Sequence, residues 1–137
     1  MENRHIPAER SDIRTLDDIR LLVDSFYQRV RENRLIGPIF AGAIGDQWPK
    51  HLDKMYRFWQ TVLLEDHTYF GSPFPPHFHM PLKKEHFDAW LRTWHQTVDD
   101  LFTGEKATEA KWRADKMATL FQLKLDAIQQ GGMRPLI

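Results

Sequence analysis

Three histidines, His67, His77 and His79, fall in the stretch from Glu65 to Pro81, and imidazoles on backbone pinned by proline are what a metal needs for ligands. The same stretch holds Gly71, Pro73, Pro75, Pro76 and Pro81, so it cannot be a long regular helix. A loop this long in a compact domain usually has a task. Loop histidines are more often solvated than coordinating, but His77 stands among Phe74, Phe78 and Met80, which are poor choices for a wet surface and good ones beneath a flat apolar cofactor. His79 has the same neighbours and is the competing ligand.

Tyr27, His51 and Trp90 are the other chemical handles, each on the apolar face of a helical stretch. Singly, each reads as core: a satisfied histidine, a packed phenol, a buried indole. Together they bring a hydroxyl, an imidazole and an indole N–H inward from three helices, and a dry core would leave those donors unpaired. A shared ligand satisfies them. An axial histidine facing such a polar pocket is the arrangement of a haem site.

The elements that must position these groups follow from periodicity. Thr15 with Asp18 forms a variant capping box, after which Leu16, Ile19, Leu22, Val23, Phe26, Tyr27 and Val30 keep the i, i+3, i+4, i+7 rule to about Asn33. Leu35 to Phe40, with Gly37-Pro38 inside it, predicts a turn or a single helical turn. Asp46 is the expected N-cap of a second helix with Pro49 in its first turn, running to about Leu64 with Trp48, Leu52, Met55, Phe58, Trp59, Val62 and Leu63 on one stripe. A third helix is expected from Lys83 to Phe102, with Phe87, Trp90, Leu91, Trp94, Val98 and Leu101 inward. A fourth runs from Lys106 to Gln130 with Ala110, Ala114, Met117, Ala118, Phe121, Leu125 and Ile128, ending at Gly131-Gly132. No run alternates with period two, so the fold class is all-α.

Length and composition bound the rest. A chain of 137 residues supports one domain, taken as residues 15–132 behind a flexible leader (1–14) and before a short tail (133–137). Basic and acidic residues balance at 19 each, so no global field favours nucleic acid or an anionic membrane. The absence of cysteine excludes disulfides, thiolate metal sites and covalent c-type haem attachment. The polar N-terminus lacks a secretory signal and no later run reaches membrane-spanning length, so a cytoplasmic protein is expected.

Taken in order, Phe26-Tyr27, Leu35-x-Gly37-Pro38-Ile39-Phe40, Trp48-x-x-His51-x-x-x-Met55-x-x-Phe58-Trp59, Tyr69-x-Gly71-x-Pro73, His77-x-x-Met80-Pro81 and Phe87-x-x-Trp90 resemble the truncated haemoglobins, and within them group III, the P group. The glycine pairs that mark groups I and II are missing. The resemblance covers nearly the whole chain from Thr15. It implies a two-over-two helical sandwich around haem b, with His77 the proximal ligand and Tyr27, His51 and Trp90 a distal polar cluster. Phe40 is implied as a wedge against the porphyrin, Met55 as a distal wall and Lys54 as a partner for a propionate. Phe58, Trp59, Phe78, Phe87, Met117 and Phe121 complete the implied cofactor contacts.

The expected ligands are O₂, CO and NO. Donors in a low-dielectric pocket favour a polarised ligand such as O₂ over CO, so slow O₂ release is expected. His51 is left with three roles: bonding the ligand, gating its access or itself ligating iron. Peroxidase-like or NO dioxygenase-like chemistry, served by an unidentified electron donor or reductase, is compatible with the same donors. Two rival classes are weighed: a non-haem metal site built from His77, His79 and Glu85 or Asp88, and a cofactor-free helical interaction module.

Overall fold

The computed structural model describes residues 10–69, 71 and 82–129. Among these the chain is all-helical: α1 (Leu16–Glu32), α2 (Gly37–Ile44), α3 (Trp48–Leu64), α4 (Lys84–Leu101) and α5 (Glu105–Gln129). The expected Gly131-Gly132 stop and the 133–137 tail lie outside the described residues.

Helix α1 starts as the sequence predicts. The Asp18 amide donates to Thr15 Oγ1 at 3.1 Å and the Thr15 amide donates to Asp18 Oδ2 at 3.1 Å, the reciprocal bonds of a capping box. Its inward stripe, Ile19, Leu22, Val23, Phe26, Tyr27 and Val30, is buried throughout.

The segment after α1 is more helical than expected. Instead of one turn at most, α2 runs for eight residues. Asn33 Oδ1 accepts the amides of Leu35 and Ile36 at 2.9 and 3.0 Å, and Pro38 sits in the first turn, where a missing N–H costs nothing. Gly37 is required by a close approach: a Cβ there would lie 2.9 Å from the Arg31 carbonyl oxygen. That contact seats α2 on the end of α1 and so fixes Phe40.

The start of α3 also differs. Gln47, not Asp46, is the N-cap, and it makes no side-chain capping bond; Asp46 Oδ1 instead accepts from Gln47 Nε2 at 2.9 Å. At its other end Glu65 takes the left-handed conformation, φ 61°. Thr61 Oγ1 accepts the amides of Thr68 and Tyr69 at 3.1 and 3.0 Å, which folds the following segment back along α3.

Two helix pairs, α1 with α3 and α4 with α5, make the sandwich, and α1 also packs on α4. Phe26, Trp59, Trp94 and Val98 lie where they meet. Arg29 of α1 ties to Asp100 of α4 at 2.9 Å. No helix among the described residues is long and apolar enough to cross a membrane.

The end of the expected leader is not loose. Ile13 is 1% exposed, and the Thr103 amide donates to the Ser11 carbonyl at 3.1 Å. Asp12 caps α5 from the far end of the chain, accepting the Lys106 and Ala107 amides at 2.9 Å each. Gly104 makes room, since a Cβ there would meet the Asp12 side chain at 2.5 Å. Burial alone would raise the Asp12 carboxyl, but the amides of Lys106, Ile13 and Ala107 outweigh it and hold the carboxyl below its ordinary value. The capping contribution is therefore present above the ordinary carboxylate range and lost as pH falls through the lowered value. Asp12→Ala is expected to cost about 0.5–2 kcal/mol at neutral pH. Urea unfolding followed by circular dichroism should show that difference beginning to shrink below about pH 4, where the unfolded carboxyl protonates, and vanishing as pH falls through the lowered folded value.

Candidate functional site

A cavity of about 560 Å³ opens between the two helix pairs, within the range of roughly 300–1,000 Å³ typical of sites for small molecules and cofactors. Its walls come from the inward stripes of every helix: Phe26 and Tyr27 of α1, Phe40 of α2, His51, Met55, Phe58 and Trp59 of α3, Phe87 and Trp90 of α4, and Met117, Ala118 and Phe121 of α5. The aromatic side chains make it a flat-sided apolar slot. Tyr69, held by Thr61, adds its ring edge-on to Phe58 at 5.3 Å.

The polar groups gather around Phe26. Tyr27 lies edge-on to Phe26 at 4.9 Å and to His51 at 5.0 Å, and Trp90 lies edge-on to Phe26 at 5.7 Å. Tyr27 is 7% exposed, and burial pushes its phenol well above its ordinary pKa, so it remains a proton donor at any working pH. His51 Nε2 is buried. Trp90 is aligned by a stack: it lies parallel to Trp94 at 6.4 Å, and Trp94 stacks on Trp59 at 4.5 Å and donates its indole N–H to the Ala110 carbonyl at 3.0 Å.

Basic and polar side chains line the cavity too. Lys54 and Arg57 stand three residues apart on α3, Arg57 paired with Asp53 at 2.8 Å, and Thr68, Leu82 and His86 complete the wall. His86 Nδ1 accepts the Lys83 amide at 2.8 Å, which leaves its Nε2 to carry the proton. Cationic and N–H groups beside an apolar slot suit a flat apolar molecule bearing carboxylates.

Eleven residues singled out by the sequence line this one cavity: Tyr27, Phe40, His51, Lys54, Met55, Phe58, Trp59, Phe87, Trp90, Met117 and Phe121. His77, Phe78 and His79 lie outside the described residues. Arg57, Thr68, Leu82 and His86 were not singled out, and Ala118 was read only as part of a core stripe. The available signal for His86 was its place four residues before Trp90 on the same face of α4. Of the rival metal ligands, Asp88 is held by Lys84 at 2.8 Å and Glu85 is exposed. The described residues contain no group of three or more metal-ligating side chains.

The bacterial-like globin family matches residues 13–123. The group 3 truncated hemoglobin ctb of Campylobacter jejuni is 32% identical over 110 residues, spanning 77% of this chain and 87% of that protein. The chain belongs to the bacterial-like globins, as a group III truncated haemoglobin. The crystal structure of the group III truncated hemoglobin from Campylobacter jejuni superposes on this globin with a TM-score of 0.79 at 30% identity, covering 85% of this chain and 95% of that one. As a globin it is a haem-binding protein for diatomic gases in the general sense of that family, and the mainly apolar, aromatic-lined slot of about 560 Å³ between its helix pairs is compatible with such a group.

Proposed function

We propose that this globin holds haem b through His77, with Tyr27, His51 and Trp90 as the hydrogen-bonding cluster on the distal side. The observation that carries this reading is the meeting of a phenol, an imidazole and an indole from three helices at one aromatic slot of about 560 Å³. Haem would supply an open coordination position for a diatomic ligand and the redox couple of its iron. Phe40, Phe58, Trp59, Phe78, Phe87, Met117 and Phe121 exclude water and fix the ring, Met55 narrows the distal side, and Lys54 with Arg57 binds the propionates.

The donors set ligand preference. A neutral phenol and an indole N–H, fixed before any ligand arrives, stabilise a polarised ligand without reorganising. The same donors can polarise a peroxide, which extends the reading to O₂, NO and peroxide redox chemistry with a separate electron donor. The proposed domain ends near residue 132.

The test is hemin titration of His77→Ala beside His79→Ala. The native protein and His79→Ala should develop a Soret band and retain hemin. His77→Ala should release it to a competing apoglobin by more than the roughly 10–100-fold that loss of a mere supporting residue costs. The reverse pattern would move the ligand by two residues. A colourless native protein that takes up no hemin would favour the cofactor-free module.

A further inference from the structure

Tyr27 lines two spaces. One is the slot described above; the other is a bay of about 490 Å³ on the outside of the α1–α3 pair, bordered by Asp24, Gln28, Arg31 and Glu32 of α1 and by Trp48, Leu52 and Tyr56 of α3. Polar side chains rim the bay, where Tyr56 donates its hydroxyl to Asp24 and Arg31 and Glu32 are exposed, while Trp48, Leu52 and the Tyr27 ring give it a mainly apolar floor. Three rings stand at the border of the two spaces: Tyr27 lines both, His51 the slot and Trp48 the bay. Tyr27, Trp48 and His51 contact one another pairwise, with centroids 5.8, 5.9 and 5.0 Å apart and planes crossed at 67°, 88° and 87°.

These three rings are not equally fixed. Tyr27 sits mid-helix in the core of α1, and His51 lies a full turn into α3. Trp48 is the first residue of α3, behind an N-cap that makes no side-chain capping bond and a bend at Gly45 with φ 60°. Its outer face is covered by the Arg31 guanidinium, 4.5 Å above the ring. An exposed cation–π contact shifts an equilibrium by only about two- to fivefold, enough to bias a side chain and too little to lock it.

We propose that the bay between α1 and α3 is the way by which small uncharged ligands reach the slot, and that the Trp48 indole, held shut by Arg31, is its door. The polar rim opens the bay to water, its mainly apolar floor admits a dissolved gas, and rotation of one indole at a weakly capped helix start opens the path to the Tyr27 hydroxyl. The inference rests on the haem-binding reading above.

CO association and dissociation in the haem-loaded protein, measured by flash photolysis and ligand replacement, test the door. Because a door speeds traffic both ways, Arg31→Ala should raise both rates together by about two- to fivefold, leaving CO affinity unchanged. Trp48→Ala should raise both further, and Gln28→Trp, which fills the bay, should slow both. The exchange rate of the Trp48 indole proton, read by NMR on the CO-bound protein, should rise in Arg31→Ala. CO rates unchanged in Arg31→Ala and Trp48→Ala, or a change in dissociation alone, overturn the door. A protein that takes up no haem overturns the functional reading itself, a result distinct from unchanged rates in a loaded protein.

Discussion

Replacing Tyr27 with Phe is expected to raise the O₂ dissociation rate by roughly ten- to a hundredfold, the equivalent of losing one hydrogen bond of about 1.5–3 kcal/mol to a polarised acceptor. The substitution is conservative in shape. Phe keeps the ring that meets Phe26 at 4.9 Å, Phe40 at 6.1 Å, Trp48 at 5.8 Å and His51 at 5.0 Å, so folding stability should barely move and the effect can be assigned to the hydroxyl. CO, which is less polar, should leave at nearly the native rate, and the ratio of the two changes separates a donor effect from a steric one.

The pH dependence sharpens the same expectation. Burial holds the Tyr27 phenol protonated far into the alkaline range, so the gap between native and variant off-rates should stay constant across neutral and moderately alkaline pH. A gap that closed near neutrality would point to His51 as the operative donor. Trp90→Phe and the double variant close a cycle in which the two donors, sharing one ligand, should prove non-additive. An O₂ off-rate unchanged in Tyr27→Phe would remove the phenol from its assigned role.

The parts of this molecule legible in its sequence are those encoded locally. Thr15 and Asp18 cap α1 within three residues of one another, and the stripes of α1, α3 and α4 are ordinary amphipathic patterns, while α5 buries a stripe of small residues and leaves Trp112, Leu120 and Leu123 exposed. The slot was legible for a related reason: it is cut into those same stripes, so residues read as core were also read as walls. What was not legible depends on distant chain. Asp12 caps a helix that starts more than ninety residues later, and no local pattern distinguishes it from a carboxylate in a frayed leader.

The length of α2 reflects how Asn33 and a close approach to α1 override Gly-Pro punctuation. Arg57 and His86 escaped notice because charged and polar residues at the margin of a stripe look like its solvated border. His77 was selected by its aromatic neighbours and by resemblance, since no periodicity governs the segment that carries it.

The second large effect concerns the scaffold rather than the donors. Trp94 is 1% exposed and joins all four long helices. It belongs to α4, stacks on Trp59 of α3 at 4.5 Å, meets Phe26 of α1 edge-on at 5.0 Å and donates to the Ala110 carbonyl of α5 at 3.0 Å. Trp94→Ala is expected to cost about 3–5 kcal/mol, a large share of the roughly 5–15 kcal/mol that separates a domain of this size from unfolding. Urea denaturation monitored at 222 nm measures it directly.

Trp94→Phe should cost less, because a ring remains between Phe26 and Trp59 while the indole N–H to Ala110 is lost. The two variants divide the roles of the residue. Trp90 lies parallel to Trp94 at 6.4 Å, so a smaller ring at position 94 removes part of the surface that sets the Trp90 plane. If Trp94 positions the donor, Trp94→Phe should speed O₂ release even where the protein remains fully folded. If O₂ release stays native while stability falls, Trp94 is a keystone of packing alone, and the plane of Trp90 is set instead by its edge contact with Phe26.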